Sequence, residues 1–182
     1  MMLYRHAAEV AIRAALYLAG QPPGELSPVH DVAKATNLPS SYLSKVIQQL
    51  AQSGLVRTFR GPGGGIELGR SPEAITLWSL VCATEGRADL ERCALGTGTC
   101  SSEKPCPLHS RWAPLREECQ RLLEGTTLAA LLRESYEGGT GGDVRTCALA
   151  GITAGAARAH RGSSLTGELA LPRLKEGEPN GG

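Results

Sequence analysis

Aromatic residues are scarce: one Phe, two Trp and four Tyr make 4% of 182 residues. That disfavours an aromatic-rich β-sandwich; the abundant Ala, Leu and Gly suit helices packed through small aliphatic side chains. An excess of one charge is also missing, since 19 basic and 18 acidic residues leave a net charge of +1. The global balance therefore does not announce a nucleic-acid binder. Long apolar runs are absent too. Arg5, His6, Glu9 and Arg13 interrupt the N-terminus, which excludes a signal peptide, and nothing is long enough to cross a bilayer. These absences predict a cytoplasmic protein without a membrane partner. In a reducing compartment its six cysteines read as metal-binding or redox-active before they read as disulfides. No C-x2-C pair of the usual zinc-finger kind occurs. The Gly61-Pro62-Gly63-Gly64-Gly65 run lacks the lysine and hydroxyl of a phosphate-cradling P-loop. No cysteine lies in a recognisable nucleophile motif that would enlist His30 or His109, so the chain is not read as an enzyme.

What is present is a succession of local signals. Leu3 to Ala19 reads as a helix, with Ala7, Val10, Ala11, Ala14 and Leu18 on one face. Ser27-Pro28 looks like an N-cap followed by proline at the first position of a helix running to about Ala35. After Thr36-Asn37-Leu38-Pro39, Ser40 or Ser41 is expected to cap a helix through Gln52, buried along Leu43, Val46, Ile47 and Leu50 and closed by Gly54. Leu55–Arg60 and Ile66–Leu68 read as strands around the glycine turn. A helix from Ile75 to Glu85, capped by Ser71-Pro72, precedes a cysteine-bearing loop from Cys93 to Cys106. A long helix from about Pro107 to Leu123 carries Leu108, Trp112, Leu115, Cys119 and Leu122 as a heptad seam, with Pro114 expected to kink or restart it. Thr126-Thr127 opens a last helix through Leu132, and the Gly/Ala/Arg-rich remainder reads as a mostly disordered tail, with Leu149–His160 marginally helical.

The expected fold class is mainly α with a small β-hairpin wing: a winged helix-turn-helix plus a long dimerisation helix. The expected division is a DNA-binding domain over residues 1–86, a cysteine loop over 87–109, a dimerisation helix and short following helix over 107–135, and a tail over 136–182.

Helix, turn, helix and glycine-tipped hairpin is the order that lays a recognition helix in the DNA major groove. Ser40, Ser41, Tyr42, Ser44 and Lys45 occupy the N-terminal end of that helix, where free N–H groups also favour phosphate. Arg57 and Arg60 of the wing could enter or flank the minor groove. Between Ser27 and Arg70 five basic residues face two acidic ones, a local excess of three. The same architecture also builds protein-binding modules, so spacing alone leaves both readings open.

Cys93, Cys100, Cys106 and His109 form a C-x6-C-x5-C-x2-H pattern. Thiolates are soft ligands for iron–sulfur clusters and zinc, and imidazole suits zinc or iron. Three thiolates with an open fourth position suit a labile, sensing centre better than a closed structural one. Cys82 and Cys119 fall on apolar helical stripes and read as small packing residues, and Cys147 as incidental to the tail.

Ser41-Tyr42-Leu43, Gly54-Leu55-Val56 and above all Arg60-Gly61-Pro62-Gly63-Gly64-Gly65 resemble the Rrf2 family of bacterial regulators, over about Leu3 to Leu132. The resemblance implies a homodimer on a palindromic or pseudo-palindromic double-stranded DNA operator, with contacts from Ser44, Lys45, Arg60, Pro62 and the adjoining Gly63. Ser44-Lys45 stands where the family's cluster regulator has an acidic residue and glutamine, so operator sequence does not carry over. The family's cluster-bearing members place three cysteines in this loop; here the first gap is one residue longer. The implied cofactor is a 2Fe–2S or 4Fe–4S cluster on Cys93, Cys100 and Cys106, with His109 or Glu9 as fourth ligand. Glu9 also reads as a surface partner of Arg13. The function expected is a transcription regulator, repressor or activator, switched by a cluster that senses redox state, nitric oxide or iron–sulfur status. The alternative is a DNA-binding protein with a structural zinc and no sensing role.

Overall fold

A computed structural model describes residues 6–87, 91–96 and 98–137. The tail expected over residues 136–182 starts two residues too early, since the last helix runs to Glu137; the rest of it, with Cys147 and the marginal helix over Leu149–His160, lies outside the described residues. In chain order the elements are α1 (His6–Ala19), α2 (Val29–Thr36), α3 (Ser40–Gln52), β1 (Val56–Phe59), β2 (Gly65–Leu68), a 3-10 turn (Pro72–Ala74), α4 (Leu77–Glu85), α5 (His109–Gly125) and α6 (Leu128–Glu137).

The core forms around α1. A single apolar stripe is expected there, but Ala8, Ile12, Ala15 and Leu16 are buried as well as Val10, Ala11, Ala14 and Leu18. A helix apolar on nearly every side must be surrounded, and α2, α3, α4, α6 and β2 all pack on it. Its alanines let those neighbours approach closely. Arg13, also on α1, donates through its guanidinium to the Thr36 carbonyl at the end of α2, satisfying an otherwise orphaned helix-terminal group.

The turn between α2 and α3 has a specific chemistry. Asn37 is left-handed, with φ 52°, and the Leu38 N–H reaches back to the Ala33 carbonyl at 2.9 Å. This is the left-handed helix stop that Asn adopts more readily than other side-chain-bearing residues. Both expected serine caps are displaced. Pro28 and Pro39 are themselves the N-cap residues of α2 and α3, so Ser40 and Ser41 are helical. A proline has no N–H, and the residue before it avoids helical backbone, so each helix begins after its proline. Ser27 instead pairs with Ile66: each N–H donates to the other's carbonyl, at 3.0 and 2.8 Å.

Gly54 does close α3, with φ 67°. The hairpin forms with Val56 opposite Leu68 and Phe59 opposite Gly65. The cap of α4 is Thr76, whose side chain accepts from the Ser79 N–H at 3.2 Å, and not Ser71-Pro72, which opens the 3-10 turn. Ile75 lies before the helix, extended and fully buried; its carbonyl accepts from Leu128 at 3.0 Å, pinning the start of α6 to the start of α4. Helix α5 does not restart at Pro114. The carbonyl that proline leaves without a donor belongs to Ser110, which is exposed and open to water.

Replacing Asn37 tests the turn. Asn37→Val should lower unfolding free energy by about 1–2 kcal/mol in chemical denaturation, because a β-branched residue resists left-handed backbone. Asn37→Gly should leave stability equal or higher.

Candidate nucleic-acid interface and cysteine centre

Helix α3 turns Leu43, Val46, Ile47 and Leu50 inward and leaves Ser40, Ser41, Ser44 and Lys45 exposed. The Ser44 hydroxyl donates to the Ser40 carbonyl at 2.8 Å, which leaves its oxygen free to accept. Tyr42 differs: it is half-buried, and its ring stacks on that of His6 of α1, with centroids 5.2 Å apart and planes 13° apart. It braces the helix against α1. Gln48 is exposed one turn beyond Ser44 and Lys45 and shares their face. It was not among the sequence candidates, although i, i+3 and i+4 spacing carried the signal.

The wing tip is a tight turn in which the Gly64 N–H donates to the Gly61 carbonyl at 2.9 Å. Pro62 and Gly63, the latter with φ 76°, fill its two central positions, a type II pattern. The next two glycines serve the fold. A Cβ on Gly64 would sit 2.4 Å from the Phe59 carbonyl oxygen, and one on Gly65 would sit 2.8 Å from that of Ser27. The glycine run is thus in part room for the protein's own backbone. Arg60 stands exposed and makes no ion pair among the described residues. Arg57 does not stand free: it meets Glu67 on the facing strand at 2.8 Å. Arg70 reaches the Ser53 carbonyl at the end of α3 at 3.4 Å. Between α3 and the wing lies an open groove with Val29, Ile47 and Ile66 as its floor and Ser44, Thr58 and Phe59 as its walls.

The cysteine loop is a miniature hairpin seated on α5. Arg92 bridges Thr99, and the Cys93 N–H donates to the Gly98 carbonyl at 2.8 Å. The Glu91 carbonyl accepts both the Cys100 N–H, at 2.8 Å, and the Arg116 guanidinium of α5, at 3.4 Å. Cys93 and Cys100 thereby lie on opposite arms, and Cys106 hangs just before α5, where its carbonyl accepts from the His109 N–H at 2.9 Å. The donors form two pairs: Cys93 Sγ is 3.4 Å from Cys106 Sγ, and Cys100 Sγ is 3.3 Å from His109 Nδ1. Among the described residues no three candidate donors converge on one point. Glu9 is not drawn in; it contacts Arg13 at 3.5 Å and His6 at 3.4 Å. Sulfurs on one tetrahedral ion with bonds of about 2.3 Å stand roughly 3.8 Å apart. Both pairs are near that spacing, and three thiols with an imidazole fit the chemistry of iron–sulfur or zinc ligation. Cys82 is half-buried on α4, and burial pushes its thiol pKa up, as suits a packing residue.

The family model for Rrf2, described as an iron-dependent transcriptional regulator, matches residues 4–134. The chain belongs to the Rrf2 family. Among curated relatives of this Rrf2 protein, the HTH-type transcriptional regulator NsrR of Halalkalibacterium halodurans is 35% identical over 130 residues, covering 71% of this chain and 89% of that one. The HTH-type transcriptional regulator IscR of Vibrio campbellii is 28% identical over 131 residues, covering 72% and 75%. Of solved structures, CymR, the global cysteine regulator of B. subtilis, aligns with a TM-score of 0.62 at 24% identity over 72% of this chain and 96% of that one. T. potens IscR aligns with a TM-score of 0.60 at 20% identity over 78% and 93%. These structural likenesses show the winged-helix fold. With the family shown, the protein is a transcription regulator and DNA is its partner. No helix among the described residues is long and apolar enough to cross a membrane.

Gly64→Ala should disturb the wing, because the added methyl meets backbone that cannot swing away. The expected cost is about 1–3 kcal/mol of stability. DNA affinity in a gel-shift titration should fall with it while helical circular dichroism stays unchanged.

Proposed function

We propose that this Rrf2 protein is a cytoplasmic homodimer whose affinity for operator DNA is switched by an iron–sulfur cluster, 2Fe–2S or 4Fe–4S, held by Cys93, Cys100, Cys106 and His109. The observation that supports the reading is the gathering of three thiols and an imidazole in one loop, Cys93 beside Cys106 and Cys100 beside His109. His109 is favoured as fourth ligand over Glu9, because His109 already stands beside Cys100 whereas Glu9 would have to leave both His6 and Arg13. When bound, the cluster supplies a centre whose charge and ligation change with redox state, nitric oxide or iron–sulfur status.

The chain's own residues account for the coupling. Arg116 and the Glu91 carbonyl tie the Cys100 arm to α5. On α5, Leu115 and Leu122 are 59% and 64% exposed and lie one heptad apart, an apolar seam that suits the same seam of a second copy. A shift of the loop against α5 would then alter how two subunits meet, and with it the spacing of their α3 helices. Half-site spacing governs operator affinity, so small rotations suffice. The domain division of 1–86, 87–109, 107–135 and 136–182 follows this assignment of roles.

On DNA, Ser40, Ser41, Ser44, Lys45 and Gln48 face the major groove, and Arg60, Pro62 and Gly63 form the wing contact. Arg57 contributes less than Arg60 because Glu67 already holds it. Tyr42 supports α3 from behind through His6.

Two experiments test this. Anaerobically purified protein should be brown, with visible charge-transfer bands and matching iron and sulfide. Cys100→Ala should remain a folded dimer but lose colour and signal response. A colourless protein with about one zinc per chain overturns sensing and supports a structural Cys3His zinc site, which the same donors also suit. Arg60→Ala should weaken DNA binding evenly across sequences and reduce the salt-dependence slope by about 1. An unchanged slope removes Arg60 from the interface.

A further inference from the structure

The spacing that suits Cys93 and Cys106 to a shared metal also suits them to each other. Their sulfurs are 3.4 Å apart, neither is disulfide-bonded, and both lie outside the main helices and strands. A disulfide of about 2.05 Å needs an approach of roughly 1.4 Å, within reach of side-chain rotation and a small loop shift. Glycines at 96 and 98, with φ 73° and 114°, give the Cys93 arm backbone freedom that other residues lack. The third loop cysteine is set apart, since the near neighbour of Cys100 is the His109 imidazole, at 3.3 Å.

We propose that in the metal-free chain Cys93 and Cys106 form a reversible intramolecular disulfide under peroxide, and that Cys100 stays outside it. Burial orders the steps. Cys93 is only 7% exposed, whereas Cys106 is partly exposed and meets the oxidant first. The Cys106 sulfur attacks the O–O bond of hydrogen peroxide, gaining a hydroxyl and releasing one water. The Cys93 sulfur then displaces that hydroxyl as a second water. Two thiols lose two electrons and two protons, and one peroxide accepts them all. The product has two of its three loop thiols locked away from any metal until a thiol reductant reopens the bond. An oxidised chain therefore stays unloaded after the oxidant has gone. The proposal concerns the chain without metal and does not rest on the cluster reading; a zinc-loaded or colourless protein leaves it standing.

The test uses full-length protein, stripped of metal with a chelator, reduced, freed of reductant and treated with one equivalent of hydrogen peroxide. Of six cysteines, two should be lost to thiol titration and recovered with dithiothreitol, with the chain still monomeric on a non-reducing denaturing gel. Cleavage after glutamate separates Cys106 from Cys93 and Cys100 at Glu103, and mass spectrometry should find the two peptides joined. Cys100→Ser should keep the link; Cys93→Ser and Cys106→Ser should each abolish it. A link that involves Cys100, a link between chains, or irreversible oxidation without any link would overturn the proposal, and fragmentation of the joined wild-type peptides between Cys93 and Cys100, with the non-reducing gel, can return each of these.

Discussion

The burial of α1 on nearly all sides is the constraint on which the rest of the molecule depends. Ala8, Ala11, Ala14 and Ala15 are fully buried, and each is small enough to let a neighbouring element close in. The helix-turn-helix, the wing strand β2, α4 and α6 are all held to this one helix. Its polar positions do related work: Arg13 satisfies the end of α2, and His6 carries the ring of Tyr42. Helix α3 is thus placed by α1 from two directions, through its buried stripe and through the stacked ring at its start. Helix α6, which follows the long α5, returns to the same core through Leu128. The helix-turn-helix and the end of α5 therefore meet in one packed interior.

The wing shows a second constraint, imposed by backbone and not by side chains. Ser27 precedes α2 yet exchanges both hydrogen bonds with Ile66, so the hairpin is anchored by a third strand-like segment. That close approach explains Gly65, and the return of the chain onto Phe59 explains Gly64. Only Pro62 and Gly63 are left to the tip itself. A run of glycines that looks uniform in sequence serves two purposes, one structural and one facing outward.

In the cysteine loop the same lesson holds for chemistry. The residue types and the order C-x6-C-x5-C-x2-H made the donors legible, because softness and charge belong to each side chain. Their sorting into Cys93 with Cys106 and Cys100 with His109 was not legible, because it follows from a two-armed loop held by one shared carbonyl at Glu91. Glu9 shows the converse. Its i, i+4 relation to Arg13 could be read directly from the chain, and that pair is what forms.

By itself the sequence determined the features that short stretches encode: the stop after Thr36, the extent of α3 to Gln52, the closure at Gly54, the hairpin and its turn, and the family carried by the wing motif. Local periodicity, proline and left-handed backbone act within a few residues, so a linear reading reaches them. Tertiary structure alone decided that α1 is enclosed and not one-faced, that Ser27 belongs to the wing and not to a cap, that Glu67 holds Arg57, and that Tyr42 leans on His6. Each of these depends on a partner distant along the chain or across a turn, and burial and charge pairing are settled by which surfaces finally meet.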